Sequence, residues 1–197
     1  MKPVNENVNN SVEAFRHLLL KANTKLNLVS RRSVDKAVDE LIRDSLLVLE
    51  WEGCALASPM LDIGSGGGFP GIPMKLCRPE LTIHLLDSNR RKCAWLESVR
   101  RALRLDGVDV FHRRIEDFIA DSAHKAFYGT VLSRAVASVK DLLQWSYPLL
   151  KTDGELLAWK GSSVGKEVAE SDWAGWSPPR LWRHSSGLFL MQTVKQG

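Results

Sequence analysis

The densest chemical signal in the chain is Asp62-Ile63-Gly64-Ser65-Gly66-Gly67-Gly68-Phe69-Pro70-Gly71, with five glycines in eight positions. Glycines between an apolar strand and a helix let the backbone turn sharply and let a ligand approach with no Cβ in the way. Gly64, Gly66 and Gly68 follow GxGxG spacing. A dinucleotide fingerprint would want its third glycine where Phe69 stands, and no Gly-Lys-Ser/Thr follows to make a phosphate loop. Roughly 20 residues further on, Asp87 ends a second apolar run, where a carboxylate can accept hydrogen bonds from both hydroxyls of a ribose. The ordinary alternative for Asp87 is the N-cap of the next helix, which Ser88 could equally supply. Arg114-Ile115-Glu116 follows a third run. Glu116 could accept from an adenine amino group while Ile115 covers the ring; otherwise a Glu in a first helical turn complements the helix dipole. Ser133-Arg134-Ala135 and Trp159-Lys160-Gly161 end two further runs. Arg134 and Lys160 are expected to face one cleft, where cations can hold phosphate or the edge of guanine.

Some chemistries lack their residues. No Asn/Asp-Pro-Pro-Tyr/Phe motif follows the fourth strand, as methylation of an adenine or cytosine amino group would usually need. No cysteine lies at the fourth or fifth strand end to attack a pyrimidine carbon. Cys54, Cys77 and Cys93 form no CxxC pair and no Cys/His zinc spacing, so no metal site is expected.

These residues need a frame that brings strand ends together. Strands are expected at 59–63, 81–86, 108–111, 130–133, 156–159 and 188–194, with a short helix at 70–77. A long amphipathic helix is expected at 89–105, with Ala94, Trp95, Val99, Ala102 and Leu103 facing inward. Two further helical patterns, near 11–26 and 34–50, precede the first strand as an N-terminal cap. Strand–helix alternation calls for an α/β fold, a mostly parallel twisted sheet with helices on both faces. In such sheets ligands bind beyond the carboxyl ends of the strands, near the switch point of strand order.

The 197 residues suit one domain with a helical segment appended, and 44% apolar content is enough for a core. The formal charge is +4, which permits a polyanionic partner without demanding one. Six basic side chains stand against one acidic over 88–104. Such a run is often only a solvated helix face. MKPVNENVNN has no apolar core of a signal peptide, and no run approaches the length of a membrane span, so a cytoplasmic protein is expected.

The chain resembles the RsmG (GidB) family, bacterial methyltransferases that form N7-methylguanine in 16S rRNA of the small ribosomal subunit. The resemblance runs collinearly through Asn27–Ser30, Arg43-Asp44-Ser45, Asp62–Pro73, Leu85–Ser88, Arg114–Phe118, Ser133-Arg134-Ala135 and Lys160-Gly161. It implies a class I Rossmann-like methyltransferase fold, with residues 1–57 as an N-terminal helical extension and 58–197 as the S-adenosylmethionine-binding domain. It implies S-adenosyl-L-methionine as cofactor, bound by Gly64, Gly66, Phe69, Asp87, Ile115, Glu116 and Arg134. Arg134 and Lys160 would carry the catalytic role. It implies that Arg114 and Lys160 receive RNA, with ribosomal RNA or the small subunit as partner; Arg31 and Arg32 are further candidates for phosphate contacts by their charge, and no membrane contact and a monomeric state are expected. The family often has a His three residues before the Asp-Ser pair; here that position is Leu41. Residues 162–197, with Trp173, Trp176 and Trp182, match only loosely.

Other readings remain open at this point. One is a methyltransferase of another RNA or of a small molecule. A second is a non-catalytic RNA-binding protein on the same fold. An NAD-dependent oxidoreductase is disfavoured by the glycine spacing.

Overall fold

The computed structural model describes residues 6–29 and 33–197. Seven strands form one sheet: β1 (Met60–Ile63), β2 (Ile83–Asp87), β3 (Val108–His112), β4 (Tyr128–Arg134), β5 (Leu150–Lys160), β6 (Arg180–Arg183) and β7 (Phe189–Val194). The spatial order is β3-β2-β1-β4-β5-β7-β6. Strands β1 to β5 run parallel to one another, while β7 pairs antiparallel with both β5 and β6. The order reverses direction between β1 and β4, so the glycine loop after β1 opens at the switch point.

Alternation along the strands sorts the core into two layers. Met60, Ile83, Leu85, Leu132, Leu157 and Trp159 join one apolar cluster. Leu61, Ile63, Leu86, Val131, Leu156 and Ala158 join the other. The first layer is covered by α1 (Glu6–Leu26), α2 (Val34–Leu46), α3 (Gly71–Cys77) and α4 (Arg90–Ala102). The second is covered by α5 (Ile115–Ala120), α6 (Val139–Leu149) and α7 (Val164–Ala169). Phe15 and Leu19 of α1 and Val38 and Ile42 of α2 share their cluster with Ile72 and Leu132. The two N-terminal helices therefore pack into the same core as the strands.

Three expectations are corrected. The buried arc of α4 is Cys93, Trp95, Leu96 and Val99, while Ala94 and Ala102 face solvent. At about 100° per residue, Ala94 falls outside the arc that these four share. The α4 cap is Asn89, whose side chain accepts from the backbone N–H of Arg91 and Lys92, so neither Asp87 nor Ser88 is needed there. Strand β5 begins at Leu150 rather than near 156, and β6 was not anticipated. Both additions are rich in exposed polar side chains, so hydropathy does not mark them.

Candidate active site

A cleft of about 520 Å³ opens beyond the carboxyl ends of β1 to β4. Its floor is the glycine loop. Gly64 and Ser65 donate backbone N–H groups to the Leu86 carbonyl (2.8 and 3.1 Å), and Gly66 donates to Asp87 Oδ2 (2.9 Å). The loop is thus hooked to the end of β2. From α4, Trp95 Nε1 donates to the Gly67 carbonyl at 3.1 Å and fixes the loop from behind. Gly64 has φ +72°, and a Cβ there would lie 2.5 Å from Val136 Cγ2. Both the backbone conformation and the close approach of the loop after β4 require glycine at this point. Phe69 closes one side of the floor and packs edge-on against Phe15 of α1, with ring centroids 5.6 Å apart.

Asp87 lies beside this floor. Its Oδ2 takes the Gly66 N–H, and its Oδ1 takes the Asn89 N–H at 2.8 Å. A carboxylate offers about four acceptor sites, so two backbone bonds leave capacity for a ligand. Ile115 and Glu116, at the head of α5, line the far wall with Arg113 and Arg114. Arg113 is held by Asp121 at 2.8 Å. Arg134 at the end of β4 lines the cleft and pairs with Asp44 of α2, Nη2 to Oδ2, at 2.9 Å. Its Nη1 is buried and has no hydrogen-bond partner among the described residues.

Lys160 requires correction. It does not line the cleft; its ammonium pairs with Glu167 at 2.5 Å and donates to the Ala137 carbonyl at 2.8 Å. Glu167 also accepts the Val139 N–H at 3.0 Å and the Ser163 hydroxyl at 2.7 Å. With these bonds, its carboxyl is held below the usual range even though burial pushes the other way. Lys160 therefore ties the end of β5 to α7 and to the segment that carries Val136. Strand-end position alone could not distinguish this role from a cation facing the cleft. Arg31 and Arg32 lie outside the described residues.

Two buried acids near the loop sit apart from the cleft. Asp62 Oδ2 accepts from Gly71 N–H at 3.0 Å, and burial pushes its carboxyl up to about 7. Cys93 donates its thiol toward the Asp87 carbonyl, and burial pushes it up to about 11, so it stays a thiol near neutral pH.

Over residues 8–175 the chain matches the family described as rRNA small subunit methyltransferase G. The chain belongs to this family. The family match takes in the glycine loop, Asp87, residues 114–116, Arg134 and Lys160, and ends before β6 and β7. A Desulfitobacterium hafniense protein named ribosomal RNA small subunit methyltransferase G is 41% identical over 154 residues, covering 78% of this chain and 63% of that one. A Chlorobaculum tepidum protein of the same name is 35% identical over 169 residues, covering 86% of this chain and 76% of that one. The chain thus spans just under two thirds of the Desulfitobacterium relative. Solved structures give the same fold. A point mutant of MtNAS in complex with S-adenosylmethionine superposes with TM-score 0.62 at 13% identity, over 97% of this chain and 77% of that one. TYW2 from P. horikoshii in complex with MeSAdo gives TM-score 0.58 at 11% identity, over 81% of this chain and 63% of that one. The chain is therefore a member of the methyltransferase G family on a Rossmann-like methyltransferase fold.

The structure adds cleft residues that the sequence had not placed in the cofactor or acceptor site. Leu28 and Leu41 bring the N-terminal segment to the cleft wall, and Val136 and Trp145 complete the wall beyond β4. Leu41 occupies the position where the resembling family often has His. Trp145 left a trace only as an aromatic in an amphipathic helix, which reads as core. Among the described residues, no helix is long and apolar enough to cross a membrane.

Proposed function

We propose that the chain transfers a methyl group from S-adenosyl-L-methionine to N7 of a guanine in small-subunit ribosomal RNA. The observation that carries this reading is the juxtaposition of a Cβ-free glycine floor with the partly used Asp87 carboxylate at the switch point. These residues fit an adenosyl group. Asp87 has acceptor capacity for the two ribose hydroxyls, and Ile115 and Glu116 can cover and hydrogen-bond an adenine. Gly64, Gly66 and Phe69 would bound the rest of the cofactor. Relatives named ribosomal RNA small subunit methyltransferase G support the choice of acceptor.

When bound, the cofactor supplies an electrophilic methyl on a sulfonium. The chain's own task is then mainly orientation. A guanine N7 lone pair carries no proton, so no general base is required of the protein. The two carboxylates on the cleft wall, Asp87 and Glu116, are instead assigned to binding. Rate would come from holding N7 and methyl in line at near-attack distance. Arg134 is assigned to the acceptor and Arg114 to phosphate, both from the cleft wall, and Arg31 and Arg32 are carried as RNA contacts from the sequence alone. Lys160 acts behind the wall rather than on the RNA. The expected setting is the cytoplasm, with the chain acting as a monomer.

The test is incubation with methyl-labelled S-adenosylmethionine and undermodified bacterial rRNA or small subunits, followed by nucleoside analysis. Label in N7-methylguanosine, with activity falling steeply as salt rises, is the expected result. Label in another nucleoside, or cofactor binding with no RNA label on either substrate, would overturn the acceptor.

A further inference from the structure

Asp44 sits in the last turn of α2, only 8% exposed, and touches one cleft residue and one core residue. Its side chain pairs with Arg134 at 2.9 Å, and its backbone carbonyl accepts from Trp159 Nε1 at 2.7 Å. Arg134 and Trp159 are register partners at the ends of β4 and β5. One helical segment is therefore pinned to two adjacent strand ends beside the cleft. Leu41, one turn earlier on the same helix, lines the cleft itself.

A buried ion pair is weak evidence for stability, because desolvation offsets most of its attraction. The Trp159 bond already docks α2 through the backbone and would do so whatever the side chain at position 44. What the carboxylate adds is charge compensation and orientation for a guanidinium whose other terminal nitrogen, Nη1, has no partner among the described residues. Without it, a nearly buried cation would be left with no anion and free to swing into the cleft or away from it.

We propose that Asp44 is a positioning residue for methyl transfer. It sets the guanidinium of Arg134 in the cleft and makes the acceptor side of the site depend on α2. The proposal rests on the reading that Arg134 serves the reaction described above. The N-terminal segment then completes the site rather than only adding surface for RNA.

The experiment compares the full-length chain with Asp44→Asn, Asp44→Glu, Arg134→Ala and the Asp44→Asn/Arg134→Ala double variant. Methyl transfer kinetics, S-adenosylhomocysteine affinity by calorimetry and thermal unfolding are measured on each. Asp44→Asn keeps the Trp159 contact but leaves Arg134 without its anion, so it should unfold at a lower temperature than the parent, and its kinetics are read well below that temperature. Its kcat should fall about 10- to 100-fold, with KM for the cofactor changing less, and Asp44→Glu should recover part of the loss. The double variant should be no slower than Arg134→Ala alone, because the two residues act as one unit. Losses that multiply in the double variant, or full kcat in Asp44→Asn, would overturn the proposal while leaving the methyltransferase reading intact if Arg134→Ala is inactive. Full activity in Arg134→Ala would remove both the role of Arg134 and that of Asp44. If the parent methylates no RNA, the calorimetric cycle decides: additive weakening of S-adenosylhomocysteine binding rejects the coupling, and non-additive weakening upholds it.

Discussion

The two ends of the parallel sheet use polar side chains in opposite ways. Strand β2 carries His84 near its start and Asp87 at its end. At the amino end, the Tyr128 hydroxyl lies 2.9 Å from His84 Nδ1 and 3.2 Å from His124 Nδ1, and His84 Nε2 is 3.6 Å from Asp109. Phe118 stacks on His124 with ring centroids 3.8 Å apart. On β5, Glu155 takes the Leu56 N–H and the Gln192 amide, both at 2.7 Å. These groups satisfy one another. At the carboxyl end, Asp87 retains acceptor capacity, Arg134 keeps one nitrogen without a partner among the described residues, and the glycine floor lacks Cβ atoms. Ionisable and aromatic residues are plentiful at both ends. What marks the functional end is hydrogen-bonding capacity left for something else.

That contrast can be broken by substitution. Arg134→Ala should give the largest effect, a loss of methyl transfer on the order of 100-fold or more, with the fold retained by circular dichroism. Glu155→Ala should do the reverse. It takes the acceptor from the Leu56 N–H, the Thr130 hydroxyl and one of the two Gln192 amide hydrogens, the other staying on the Gly53 carbonyl, and should lower unfolding free energy by about 3 kcal/mol in urea, with S-adenosylhomocysteine affinity of the folded protein unchanged. An affinity loss in Glu155→Ala would dissolve the division between the two ends. Asp87→Ala should weaken S-adenosylhomocysteine about 10-fold in calorimetry, near 1.4 kcal/mol, and should destabilise the unliganded chain less than Glu155→Ala.

The smallest expected effect is a pH slope. Burial holds the imidazoles of His84 and His124 below the usual histidine range. Between the folded value and about 6.5, the unfolded chain binds more protons, so these groups make stability fall as pH drops below about 6.5. Asp62, raised to about 7, contributes the opposite slope, losing stability as pH rises toward 7. Comparing His84→Phe with the parent cancels the Asp62 contribution. The variant should lose less stability between pH 7 and pH 5; an unchanged slope would show that the amino-end cluster is not closed to protons.

Much of this was legible in the chain because the signals are local. The glycine run, the carboxylate ending the second apolar stretch and the Arg134 strand end all depend on residues within a few positions of one another. The face of α4 was misjudged at Ala94 because small apolar residues tolerate either side of a helix. Lys160 was placed in the cleft because position at a strand end says where a side chain starts and not what it meets. Its partners, Glu167 and Ala137, come from other elements.

The amino-acid sequence by itself determined the parallel α/β sheet, the glycine loop at its switch point and the family. The first two follow from periodicity and from backbone demands confined to a short stretch, and the family follows from the resemblance of motifs that run collinearly along the chain. Only the tertiary structure decided that Asp44 and Arg134, 90 positions apart, form one pair, that Lys160 is tied away from the cleft, and that α2 supplies part of the cleft wall. The physical reason is that a buried charge is defined by its partner, and partners are chosen by how helices dock on the sheet, a property of the packed core as a whole.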